Sequence, residues 1–148
     1  MKYSIDNIME EAIQRKEIKG KFELVVNRLN NEAQSYKDKG YHVLFDFDET
    51  NPDCIKAYFP FIFTFCGAPD EDYDVPVEDE NGIITGRSWH MFGKYNEISI
   101  KDFSFYIEVE IYEIIESFKK EKEQLNEDTI YSKMCEIISK ALMSEPLS

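Results

Sequence analysis

Seven carboxylates, with no lysine or arginine among them, crowd residues 67–82, GAPDEDYDVPVEDENG. Oxygen-bearing side chains this close together can ligate a hard cation such as calcium. They can also present negative potential to a cationic partner. The calcium reading has a partial template, because Asp70, Asp72, Asp74 and Glu78 fall at positions one, three, five and nine of a twelve-residue loop. Position six needs a glycine for the sharp turn and is Val75; position twelve needs a bidentate glutamate and is Asn81. No metal site is therefore expected, and the charge reading is the one carried forward. Its partner-binding residues are Asp70, Glu71, Asp72, Asp74, Glu78, Asp79 and Glu80, with Tyr73 as an aromatic anchor between them.

The remaining candidates for chemistry are sparse. Cys54, Cys66 and Cys135 are widely spaced, and none forms a CxxC pair. Their apolar surroundings disfavour a thiolate, so they read as packed, reduced thiols of a cytoplasmic protein. His42 and His90 are the two histidines and have no partner at zinc-ligand spacing. No glycine-rich phosphate-cradling loop occurs. No catalytic residue and no cofactor is expected from these residues.

Residues 43–50, VLFDFDET, end an apolar run in DxDxT. This resembles the first motif of the haloacid-dehalogenase-type phosphotransferases. The resemblance implies Asp46 as nucleophile, Asp48 as acid/base and a magnesium ion against the phosphate; Lys94 and Lys101 could be offered as the phosphate-binding lysine, but no motif supports either. It also implies a parallel sheet with helical crossovers. Only this short stretch carries it. The next strand follows after a brief polar turn and reads as a hairpin partner, and no later Gly-Asp or Asp-Asp metal motif is present.

The charge map is uneven. The chain of 148 residues carries a net −13. Residues 41–118 hold seventeen acids against four bases (Lys56, Arg87, Lys94, Lys101), a net −13, so the rest of the chain balances. Nucleic acid repels such a surface, whereas a basic protein is attracted to it at long range. The hydrophobic fraction of 43% is enough for a core and for one domain over residues 1–148. No apolar run is long enough to span a membrane. The charged N-terminus, MKYSIDNIMEE, lacks the apolar segment of a secretion signal.

The elements that must position these residues follow from periodicity. Ser4 predicts a helix cap, with Ile5, Ile8, Met9, Ala12 and Ile13 as one stripe up to residue 17. Gly20 predicts a break or bend. A second helix over residues 21–37 carries Phe22, Val25, Val26, Leu29, Ala33 and Tyr36, closed by Gly40. Residues 41–66 alternate as a hairpin. Val43, Phe45 and Phe47 share one face, as do Ala57, Phe59, Phe61, Phe63 and Phe65. Pro60 demands an edge or a bulge.

Asn81-Gly82 predicts a type I′ turn, with residues 83–92 as a strand returning on residues 75–77 and a turn at 93–96. Residues 102–124 favour a helix through Phe103, Tyr106, Ile107, Ile111, Ile114, Ile115 and Phe118. Phe105, Ile107, Val109 and Ile111 also alternate, which leaves a strand start open. Asn126 or Asp128 opens a last helix. The order ααβββαα predicts an α+β domain, with an antiparallel sheet of about three to four strands packed by N-terminal and C-terminal helices.

The functional expectation is a non-enzymatic inhibitor or immunity-type protein that occupies the basic surface of a nuclease or other nucleic-acid-binding partner. In size and charge it is similar to anti-restriction and anti-CRISPR inhibitors and to toxin-immunity proteins. Direct nucleic-acid or membrane contact is not expected. The alternatives are a magnesium-dependent phosphohydrolase at Asp46 and Asp48, and an assembly protein whose acids only solubilise it.

Overall fold

The computed structural model describes residues 4–39, 41–60, 75–91 and 94–144. Ser4 caps the first helix, its Oγ accepting from the Asn7 N–H at 3.3 Å. This helix, α1 (Ile5–Ala33), runs unbroken through Gly20. A helical glycine is weaker than alanine by about 1 kcal/mol. That deficit is outweighed by Phe22, Val25, Val26 and Leu29, all buried against a sheet, at roughly 1.5–3 kcal/mol per side chain. The stripe of Ile5, Ile8, Met9 and Ile13, expected to pack, is exposed instead. Beyond Ala33 the chain tightens into a 3-10 turn (Gln34–Lys39) with Lys37 and Lys39 at its end. Gly40 lies outside the described residues.

The predicted hairpin forms. Strand β1 (Leu44–Phe47) pairs antiparallel with β2 (Cys54–Pro60), aligning Phe45 with Ala57 and Phe47 with Ile55. The expected Phe61, Phe63 and Phe65 lie outside the described residues. Strand β3 (Val75–Glu78) returns on β4 (Ile84–Met91), and β5 (Lys94–Ser99) completes a second antiparallel sheet, in the order β3-β4-β5. The expected turn at 93–96 is thus mostly strand. Gly86 is needed where β4 crosses β5, because a Cβ there would run into the Ile98 carbonyl.

The β3–β4 connection is not type I′. Among the described residues Lys122 is the non-glycine with positive φ, so Asn81 lacks the left-handed conformation that turn demands. Instead Gly82 takes φ 80 and its N–H donates to the Asp79 carbonyl at 3.0 Å.

After a 3-10 turn (Ile100–Asp102), β6 (Ser104–Glu110) joins the first sheet, in the order β1-β2-β6. The helix expected over 102–124 is therefore a strand followed by α2 (Ile111–Glu121). Alternation wins because β2 offers seven paired residues, from Cys54 opposite Glu110 to Pro60 opposite Ser104. The 3.6-residue stripe survives only from Ile111, Ile114 and Phe118, which are buried in α2.

The last helix, α3 (Glu127–Ser144), opens on a reciprocal cap. The Thr129 N–H donates to Asn126 Oδ1, and the Asn126 N–H donates to Thr129 Oγ1, both at 3.0 Å. The result is α+β, with N-terminal and C-terminal helices around two small antiparallel sheets. In place of the one expected sheet of about three to four strands, the strands of the described residues form two sheets of three.

The core lies between the β1-β2-β6 sheet and the three helices. Phe45, Ile55, Ala57, Ile107 and Val109 of the sheet meet Phe22, Val25, Leu29, Ile114, Ile130 and Met134 of the helices. One polar residue enters this core. Asn30 of α1, 5% exposed, donates from Nδ2 to the Phe45 carbonyl and accepts the Phe45 N–H, both at 2.8 Å.

Candidate functional site

Of the eight predicted partner-binding residues, Asp70, Glu71, Asp72, Tyr73 and Asp74 lie outside the described residues. The other three are separated in role. Glu78 is ion-paired with Lys37. Asp79 serves its own turn, its Oδ1 accepting the N–H groups of Asn81 at 2.8 Å and Ile83 at 3.0 Å. Glu80 is exposed.

Strand alternation builds a second polar group on the face of the β1-β2-β6 sheet opposite the core. Register places Leu44, Tyr58 and Tyr106 in one row, and Asp46, Lys56 and Glu108 in the next. In the third row Cys54 stands opposite Glu110, and the Asp48 N–H donates to the Cys54 carbonyl at 2.9 Å. Ile100 and Phe103 cover the Leu44–Tyr58 end. The rest of the face is polar.

The two carboxylates of the DxDxT stretch share this face, and the protein's own lysines answer both. Lys101 Nζ sits 2.9 Å from Asp46 and 3.2 Å from Glu49. Lys56 Nζ sits 3.3 Å from Asp48 and 4.2 Å from the centre of the Tyr106 ring. The Thr50 N–H and then its hydroxyl donate to Asp48 at 2.9 Å, and together with Lys56 they hold its carboxyl below the usual carboxylate range. Burial alone would pull the Lys101 ammonium down, but Asp46 and Glu49 raise it on balance. The parallel crossover implied by the dehalogenase resemblance is absent among the described residues, where β1 pairs antiparallel with β2 and β2 pairs antiparallel with β6.

Asp48, Cys54 and Glu108 offer ligand atoms within 4.8 Å of one another. The donor set fits a metal poorly. Burial, then Glu108, Asp48 and Glu110, push the Cys54 thiol up, so it keeps its proton. The Lys56 ammonium already stands against Asp48.

The acids of β6 and the start of α2 differ from those of the hairpin. Glu108, Glu110 and Glu113 are exposed, and among the described residues no lysine or arginine is ion-paired with them, Lys56 opposite Glu108 being paired with Asp48 instead. Tyr106 and Tyr112, 49% and 67% exposed, flank them. A single helix over 102–124 would carry Glu108, Glu110, Glu113 and Glu116 together. The structure divides them between an edge strand and the helix that continues it, and ties Glu116 loosely to Lys119 at 3.9 Å. The two tyrosines were missed, although Tyr106 stands on the polar side of the SFYIEVE alternation.

Comparison of the chain with protein-family models, with curated proteins and with solved structures finds no match.

Proposed function

We propose that this protein is a non-enzymatic binding protein of the inhibitor or immunity type. Its acidic surface meets the basic surface of a protein partner, a nuclease or another nucleic-acid-binding protein. The observation that carries the reading is the run Tyr106, Glu108, Glu110, Tyr112, Glu113 along β6 and into α2, with three exposed carboxylates that form no ion pair among the described residues. Held together, these charges repel one another, and a cationic partner relieves that repulsion. The tyrosines supply rigid aromatic contact area of the kind that dominates interface energetics.

Among the described residues of the expected set, Glu80, exposed in the β3–β4 connection, is the carboxylate with neither an ion pair nor a turn hydrogen bond. Asp46, Asp48, Glu49 and Glu78 do not belong to the interface, since lysines of the chain already satisfy them.

The test is affinity capture of a basic protein, followed by measurement with the variant Glu108→Lys/Glu110→Lys/Glu113→Lys. Affinity should fall by about tenfold or more, and wild-type affinity should fall steeply with salt. Unchanged affinity in the variant removes this surface from the interface. Magnesium-dependent phosphate release that disappears in Asp46→Asn would replace the binding reading with the phosphohydrolase one.

A further inference from the structure

We infer that the β6 edge takes the partner as an added strand: an extended basic segment, with Lys or Arg at alternate positions, pairs with Tyr106, Glu108 and Glu110. This rests on the binding reading above and specifies its mode.

The argument starts at the opposite edge. Both backbone groups of Phe45 are bonded to Asn30 on α1, so Phe45 faces away from β2. In an antiparallel ladder, bonded and non-bonded residues alternate along each strand. Leu44 and Asp46 therefore turn their backbone groups to Tyr58 and Lys56 of β2, their register partners. The bond from the Asp48 N–H to the Cys54 carbonyl obeys the same parity. Ile55, Ala57 and Phe59 must then turn toward β6 and meet Val109, Ile107 and Phe105. The Ile111 N–H donating to the Asp53 carbonyl at 3.0 Å continues that pattern.

Tyr106 and Glu108 are left with their N–H and C=O groups pointing out of the sheet, and Glu110 with its N–H, since its C=O as the N-cap of α2 accepts the first helical hydrogen bond. Among the described residues β6 has no second strand neighbour. The same three residues carry the exposed side chains of the strand. An incoming strand would thus bond to the very residues whose side chains it meets, and side chains opposite Glu108 and Glu110 would sit about 5 Å away, Cβ to Cβ. Cations fit there, with an aliphatic stem against Tyr106.

Two of the three other described edges differ. On β1, Asn30 takes the outward N–H and C=O of Phe45. Strand β3 carries Pro76, a residue that blunts an edge. A second copy of β6 is the wrong occupant, because two-fold antiparallel pairing in the fully overlapping register sets Glu108 of the two copies diagonal to one another, where like charges destabilise.

The test uses three peptides of one composition on the full chain. The first alternates, Lys-Val-Arg-Val-Lys-Val-Arg. The second holds the same residues in blocks. The third alternates but is N-methylated at every other residue, so that one backbone edge cannot bond. The alternating peptide should bind at low salt about tenfold tighter than either of the others. It should slow hydrogen exchange of the Tyr106, Glu108 and Glu110 amides. It should weaken about tenfold with Glu108→Gln/Glu110→Gln, a variant that removes charge without adding repulsion. Equal binding of the blocked and alternating peptides, or unslowed β6 amides, overturns strand addition while leaving a charge-driven interface standing. If none of the three binds and no basic protein is captured, both the mode and the binding reading fall.

Discussion

The two edges of the first sheet are finished in opposite ways. At β1 a helix side chain, Asn30, takes both free backbone groups of Phe45, and the neighbouring acids Asp46 and Asp48 are held by Lys101 and Lys56. At β6 the outward backbone groups meet no described strand, and Glu108 and Glu110 form no ion pair among the described residues, since Lys56, opposite Glu108, is paired with Asp48. Equal numbers of acids therefore mean different things. Carboxylates answered within the molecule belong to its architecture, and carboxylates left facing out on an open edge are available to another molecule. Net charge alone does not separate the two.

The comparison breaks most sharply at Asn30. Replacing it with leucine keeps the volume but leaves the Phe45 N–H and C=O buried without partners. The expected loss is about 2–4 kcal/mol, read from the shift of the urea midpoint at unchanged m-value. A loss below about 1 kcal/mol would mean that water reaches this edge and that it is not sealed. The next largest effect is at Lys101. Lys101→Met strands Asp46 and Glu49, but both partners are substantially exposed, so the expected loss is only about 1 kcal/mol. Adding salt to the wild type should reproduce part of it. An unchanged midpoint would detach Lys101 from the hairpin acids.

Much of this contrast is visible in the sequence only in outline. The alternation of Phe45 and Phe47, and of Ala57 and Phe59, fixes the hairpin and its inner face before any coordinates. Asn30 was also legible in principle: it stands four residues after Val26 and eight after Phe22, a polar residue on a buried stripe, and such residues are kept for a hydrogen bond. Residues 103–111 were not decidable locally, because Phe103, Ile107 and Ile111 satisfy a helical period while Phe105, Ile107 and Val109 satisfy a strand period. The choice was made by β2, a tertiary partner. The Lys101–Asp46 contact at 2.9 Å joins residues far apart in the chain, and no spacing rule reaches it.

A smaller effect separates the edges by pH. Thr50 and Lys56 depress the Asp48 pKa in the folded chain. A depressed carboxylate stabilises the fold above its unfolded value of about 3.9, and that contribution is lost as pH falls through the folded value. Wild type should therefore lose more stability than Asp48→Asn below about pH 4, measured as urea midpoints at pH 6 and pH 3. Parallel acid limbs for the two proteins would mean that Asp48 is not held as its contacts indicate.

The smallest expected change is the most discriminating for β6. If Glu108 and Glu110 serve a partner and not the fold, removing their charge should leave stability within about 0.5 kcal/mol of wild type. The sign should be slightly stabilising, because neighbouring like charges are relieved. That gain should vanish in high salt, since exposed charges are screened there. Glu108→Gln/Glu110→Gln, unfolded in urea at low and at high salt, measures both. A loss above about 1 kcal/mol would place these carboxylates with Asp46 and Asp48, as charges the fold itself requires. The difference between the two edges would then be one of exposure and not of role, and the case for a cationic strand on β6 would rest on its backbone alone.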